Sequence, residues 1–152
     1  MRTTHTLGTI VVALALGACG PDADQQAANR TAAVEVVEAF GGRLVHVSKL
    51  APVDSVANQI RDQFGPYVTT LLLGGWLTDP ASAPGREVSS PWPARIEVRE
   101  ATPVGNTAVD IEADVVYVTS VDGEPSMRRP VSIRVVKGQD GDWRIGEWIN
   151  RS

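Results

Sequence analysis

The sequence predicts an α+β fold in which two to three N-terminal helices pack on a curved antiparallel sheet of about four strands. Apolar residues recur at helical spacing from residue 31 to residue 78, and beyond Pro93 they alternate with polar residues along four segments. The alternation leaves one face of the sheet apolar. The helices are the only segments that can cover this face, which places them in a layer against it.

Three helices are predicted in the first half of the chain. The first begins at Thr31, which can cap it, and ends near Gly41. The second follows Pro52, a residue suited to a first helical turn. Its apolar stripe recurs at intervals of three and four residues: Val53, Val56, Ala57, Ile60 and Phe64. The third covers residues 70–78 and ends before Pro80.

A proline-rich loop over residues 79–94 leads into the sheet. Its four prolines exclude a helix and a central strand. Strands are predicted around residues 96–98, 109–117, 131–135 and 143–149. In the last hairpin the apolar faces match only if paired residue numbers sum to an even number. This predicts a loop over residues 138–141, with Gly141 in a left-handed bulge position.

The first twenty residues are similar to the leader of a bacterial lipoprotein. Residues 7–16 carry no charge, and this run is shorter than the roughly 20 residues that a membrane-spanning helix needs. Leu16-Gly17-Ala18-Cys19 then resembles a lipobox, and Cys19 is the only cysteine. We therefore expect a signal peptide over residues 1–18, an acylated Cys19, a flexible tether over residues 19–30 and one domain over residues 31–152. The mature protein is expected outside the cytoplasm, anchored to the lipid bilayer of the cell membrane, or to an outer membrane where one exists.

Composition argues against nucleic acid as a partner. Without Arg2 the chain carries 13 basic and 18 acidic residues, a net charge of about −5, and no basic stripe is visible. No metal site is predicted, because His46 is the only histidine beyond the leader. No cofactor is predicted either, because no glycine-rich fingerprint follows a predicted strand. Three carboxylates share one face of a predicted strand: Asp110, Glu112 and Asp114. We interpret them as solvated partners of Arg95, Arg99 or Arg134, and a calcium site is the alternative.

The order of elements resembles the nuclear transport factor 2-like superfamily, whose cone is built from helices and a curved meander. Three short phrases also look like those of small secreted bacterial lipoproteins: FGPYVT (64–69), APGR (83–86) and SPWPARIE (90–97). The resemblance covers residues 33–149. That superfamily includes isomerase-like and dehydratase-like enzymes as well as non-catalytic binding or dimerisation modules, so the resemblance implies a fold and leaves the activity open.

The first functional hypothesis is a non-catalytic module that binds a partner protein or an apolar ligand through the sheet face or the cone mouth. Four apolar residues share the otherwise polar face of the sheet and would form a patch if exposed together: Val116, Val118, Val136 and Trp148. Trp92, between two prolines, is a second candidate anchor. Tyr67 and Glu147 are the remaining candidate contact residues. The alternative for the patch is that a loop or a terminus covers it.

The second hypothesis is a small isomerase or dehydratase that uses Glu147 or His46 with Tyr67 or Tyr117 as acid and base. Glu147 alternates in step with the apolar residues of the last strand, which predicts that its carboxylate faces the core. An enclosed pocket holding such a group would favour the enzyme, whereas a cone filled by residues such as Phe64 and Trp76 would favour the binding module. A homodimeric scaffold is the third alternative.

Overall fold

The computed structural model describes residues 21–151 and shows helices packed against one four-stranded antiparallel sheet. The helices are α1 (Pro21–Gly41), α2 (Val53–Phe64) and α3 (Thr70–Thr78), with short 3-10 turns at Leu44–His46 and Pro80–Ser82. The strands are β1 (Trp92–Val104), β2 (Ala108–Val118), β3 (Met127–Lys137) and β4 (Trp143–Asn150), paired in chain order. The predicted α+β layout is confirmed. The leader and Cys19 lie outside the described residues.

The meander gives the sheet two distinct ends. The β1–β2 and β3–β4 connections lie at one end, which we call the turn end. The β2–β3 connection lies at the other, which we call the mouth end. No helix in the described part of the chain combines the length and the apolar character needed to cross a bilayer.

The first helix begins ten residues earlier than the sequence indicates. α1 starts at Pro21, so most of the predicted tether is helical, and Thr31 donates a hydrogen bond to the Ala27 carbonyl inside the helix instead of capping it (3.1 Å). Proline suits a first turn, and Asp22 and Asp24 interact favourably with the positive end of the helix dipole. The alanines and glutamines that follow are good helix formers, and this propensity outweighs the missing apolar stripe.

An aromatic cluster fills the space between the helices and the sheet. Phe40 of α1 packs against Phe64 of α2 with ring centroids 4.7 Å apart, and Trp76 of α3 lies 5.7 Å from Phe64. Trp148 of β4 closes the cluster from the sheet side, 5.6 Å from Phe40. The predicted apolar stripe of α2 supplies buried Val56, Ile60 and Phe64, although Val53 at its start is exposed.

The last strand changes register at one residue, and this corrects the predicted orientation of its side chains. Val135 pairs with Ile145, as the even-sum rule requires, but Arg134 pairs with Glu147 because Gly146 is bulged out of the ladder. Beyond the bulge the faces are exchanged. Trp148 therefore joins the core face, whereas Glu147 is exposed on the outer face. Gly141 has the predicted positive φ, +88°.

Helix α1 approaches β1 so closely that Gly41 has no room for a side chain. A Cβ at this position would lie 2.6 Å from the backbone nitrogen of Ile96. We expect Gly41→Ala to lower the free energy of unfolding by about 1–3 kcal/mol, because the helix and the strand must separate. Gly74→Ala is the matched control, since no atom of residues 21–151 outside α3 lies within 4 Å of its Cβ position. It should leave stability unchanged or raise it by up to about 1 kcal/mol in urea unfolding. Equal effects of the two substitutions would contradict the close approach.

Candidate functional site

The predicted apolar patch on the outer sheet face does not form. Val116 and Val118 are 0% and 2% exposed, Val136 is half-buried, and Trp148 lies on the opposite face because of the β4 bulge. Val116 also lies in register between Arg95 and Arg128, whose guanidinium groups both bond Glu97. These residues therefore offer no shared surface to a partner.

Ion pairs occupy much of the rest of the outer face, where Ile149 is an apolar exception (50% exposed). Arg134 donates two hydrogen bonds to Asp110 (2.7 and 2.9 Å), which lowers the pKa of that carboxyl below its usual range. Arg99 lies 3.5 Å from Asp114. The predicted pairing is confirmed for Asp110 and Asp114, whereas Glu112 accepts a hydrogen bond from Ser132 (2.7 Å) and Arg95 bonds Glu97. Within residues 21–151 no cluster of three histidine, cysteine or acidic side chains could hold a metal ion.

A cavity of about 200 Å³ opens at the mouth end, between the sheet and the first 3-10 turn. We call it the mouth cavity. Its apolar wall is formed by core residues and prolines: Leu44, Pro84, Pro93, Val115, Pro130 and Trp148. Its polar rim consists of Glu87, Tyr117, Arg129, Asn150 and Arg151. Each strand contributes at least one residue, because the meander brings the start of β1 and β3 and the end of β2 and β4 together here.

A chain of three charged side chains begins at the ring of Tyr117. The Arg129 guanidinium lies 5.0 Å from the centre of the Tyr117 ring and donates to Glu87 (3.1 Å), which also lies 3.4 Å from the Lys49 ammonium. Burial raises the pKa of Tyr117 above its usual value, which further favours the neutral phenol. Burial would also raise the pKa of Glu87, but the hydrogen bond from Arg129 and the charge of Lys49 lower it overall. The rim thus combines a neutral hydroxyl with an engaged ion pair.

Trp148 connects the mouth cavity to the core. One side of its indole packs edge-on against Phe40 and Trp76, and it also lines the cavity. The indole Nε1 donates to Asn150 Oδ1 (3.1 Å), and within residues 21–151 the Asn150 amide nitrogen donates to no group. Among the rim groups, Tyr117 O–H and Asn150 Nδ2 can donate to a ligand, whereas Arg129 is bonded to Glu87. Arg151 donates to Ser132 Oγ (2.6 Å) and lies 3.7 Å from Glu112, so its guanidinium is engaged on the outer face.

The other predicted site residues do not line this cavity. Tyr67 is near the turn end, where it accepts a hydrogen bond from Arg43 Nε (3.3 Å) and lines a groove with Gly141 and Trp143. His46 is exposed at the end of its 3-10 turn, and Trp92 is half-buried at the start of β1. The pairing of Glu147 or His46 with a tyrosine, which the enzyme hypothesis requires, is not formed.

Sequence reasoning missed several members of the rim, among them Glu87, Arg129 and Arg151. A signal for Arg129 was present. It alternates in step with Val131, Ile133 and Val135, so β3 turns this cation toward the apolar face. A charge at a core position is unusual unless it is paired or lies at an opening to water. Glu87 left no such signal, since it belongs to the irregular loop before β1.

Comparison with known proteins does not assign this site. No family model, no curated protein and no solved structure matches the chain. The chemistry of the mouth cavity is therefore the basis on which a function can be inferred.

The titration of Tyr117 tests the environment of the rim. In a Tyr67→Phe protein, we expect the remaining phenol to ionise at higher pH than it does after unfolding in urea, because burial disfavours the phenolate. Stability should accordingly fall as the pH rises above the ordinary tyrosine value of about 10, where the unfolded chain loses this proton first. Ultraviolet difference absorbance measures the midpoint.

Arg129→Gln is the second arm of this test. It should raise the Tyr117 midpoint further, because the cation above the ring stabilises the phenolate. A midpoint identical in the folded and unfolded protein, or a midpoint lowered by Arg129→Gln, would contradict the described rim.

Proposed function

We propose that this chain is an extracytoplasmic lipoprotein, anchored through acylated Cys19, whose domain binds a small ligand in the mouth cavity without catalysing a reaction. One observation carries the binding part: a buried phenol, an arginine and an indole meet at a cavity with an apolar wall. The anchoring part follows from the leader and the lipobox-like segment that ends at Cys19. Membership of the nuclear transport factor 2-like superfamily stays a prediction.

The filling of the cone favours binding at its mouth over a reaction in its interior. Phe64 and Trp76 occupy the space beneath the helices, both almost fully buried. The catalytic alternative used Glu147 as an acid or base inside the cone, but this side chain lies on the outer face opposite Arg134. Partner binding through the sheet face is likewise unsupported, because Val116 and Val118 are buried and Trp148 lies on the core face, so the predicted patch does not form.

The rim chemistry suggests the class of ligand. Tyr117 O–H and Asn150 Nδ2 can donate into the cavity, so a matching ligand presents an acceptor such as a carboxylate or a carbonyl. Leu44, Val115 and Trp148 offer an apolar wall for the ligand body, and the volume of about 200 Å³ admits only a small molecule. A small apolar carboxylate fits this combination, because Tyr117 O–H and Asn150 Nδ2 can both donate to its oxygens, and Arg129 has N–H groups beyond the one that bonds Glu87.

Benzoate is a suitable probe of this proposal. We expect it to bind with a dissociation constant on the order of 1 mM, a free energy of about −4 kcal/mol, and to change the tryptophan fluorescence through Trp148. Benzylamine, of the same size but with a cationic head, should bind at least about tenfold more weakly, since its ammonium cannot accept from Asn150 and the rim carboxylate Glu87 is already bonded to Arg129. Tyr117→Phe and Asn150→Ala should each weaken benzoate binding by about three- to tenfold, the effect of one lost hydrogen bond.

Tyr67→Phe is the matched control, because it removes a phenol at the opposite end of the sheet. It should leave benzoate binding unchanged. Isothermal titration calorimetry measures the dissociation constants of benzoate and benzylamine for the unsubstituted protein and of benzoate for the three variants. Equal affinity for benzoate and benzylamine, or equal effects of the two tyrosine substitutions, would overturn the assignment of the ligand to the mouth cavity.

A further inference from the structure

Helix α1 extends past the body of the domain at the turn end. The seven residues 22–28 are all exposed, whereas Asn29 is 2% exposed. The Asn29 side chain donates to the carbonyl of Asn106 in the β1–β2 turn (3.2 Å) and accepts from Gln25 (2.9 Å). These contacts fix the helix at the point where it leaves the sheet. We call residues 21–28 the stalk.

The direction of the stalk follows from a second contact. Gly41, at the other end of α1, lies against Ile96 of β1. The helix thus runs along the sheet, from the turn end toward the mouth end. Ala32 and Glu35, just beyond Asn29, line a groove with residues 141–143 of the β3–β4 connection. The stalk therefore leaves the domain beside both turns and points away from the mouth cavity.

We propose that the stalk holds the turn end toward the bilayer and presents the mouth cavity to the aqueous phase, an inference that rests on the proposed acylation of Cys19. Helical rise places Pro21 about 12 Å from Asn29, and the two residues back to Cys19 add at most about 7 Å. The strands then carry the mouth roughly 35 Å further, the length of an 11-residue strand. The ligand of the mouth cavity consequently arrives from solution and not from the membrane.

The composition of the stalk opposes a helix that lies flat on the lipid. Helices that rest in the interface use a large apolar face together with lysines or arginines. Residues 22–28 read Asp-Ala-Asp-Gln-Gln-Ala-Ala, with no large apolar residue and no basic one. Asp22 and Asp24 are also repelled by anionic lipids. An upright stalk exposes these side chains to water and leaves the turns nearest to the surface.

Paramagnetic broadening in nanodiscs tests this orientation. The acylated protein, purified from membranes and deuterated, is reconstituted with lipids that carry a nitroxide on the headgroup. We expect the amide signals of residues 105–107 and 138–142 to broaden strongly and those of residues 119–124 to remain sharp. Equal broadening of the two groups, or stronger broadening of residues 119–124, would overturn the proposal.

Two substitutions at one exposed position isolate the role of the stalk. Ala27→Pro breaks the helix just before Asn29. It should abolish the difference in broadening between the turn end and the mouth end, because the domain can then rotate freely relative to the bilayer. Ala27→Ser keeps the helix and should preserve the contrast. A contrast that survives Ala27→Pro would show that another surface orients the domain, which contradicts the proposal.

The state of Cys19 is measured separately. The mass of the purified protein reports acylation, and Cys19→Ala should lose the lipid mass and leave the membrane fraction. A free thiol at Cys19 in the natural protein would contradict the proposed lipid anchor. Coupling this single cysteine to a maleimide lipid would then restore the attachment, and the same amide signals would decide the orientation alone.

Discussion

The bulge at Gly146 is the constraint on which the site depends. An uninterrupted ladder would turn Glu147 and Ile149 into the core and leave Trp148 in water. Burying a carboxylate costs several kcal/mol, and an indole carries about 150–250 Å² of surface, each Å² worth about 25 cal/mol when buried. The interrupted ladder forfeits about 0.5–1.5 kcal/mol of hydrogen bonding and exposes Ile149, which is 50% exposed. The balance favours the bulge.

The mouth cavity depends on this change of register in β4. Trp148 reaches the aromatic cluster of Phe40 and Trp76 and at the same time walls the cavity beneath Tyr117. Its indole nitrogen engages Asn150, so one side chain couples the packing of the core to the donors at the rim. The same change of register places Glu147 opposite Arg134 on the outer face, where Arg134 already pairs with Asp110. Core, cavity and surface charge are thus consequences of one register.

Local patterns were sufficient to predict most elements, since α2 and the four strands carry clear periodicities. They failed where a pattern was absent or broken. Residues 21–30 have no apolar stripe, so their helix rests on propensity and on the contact of Asn29 with a turn that is distant in sequence. Parity located Ile145 correctly and misplaced Trp148, because a one-residue bulge leaves no mark in the alternation. Glu87 belongs to a loop whose path is set by its pairing with the segment after the first 3-10 turn.

Cross-strand nuclear Overhauser effects between β3 and β4 test the register most directly. The structure predicts contacts of Val135 with Ile145 and of Ile133 with Trp148, together with contacts between the ring protons of Trp148 and Phe40. Contacts of Ile133 with Glu147, accompanied by the absence of any contact between Trp148 and Phe40, would show an uninterrupted ladder and contradict the account of the site.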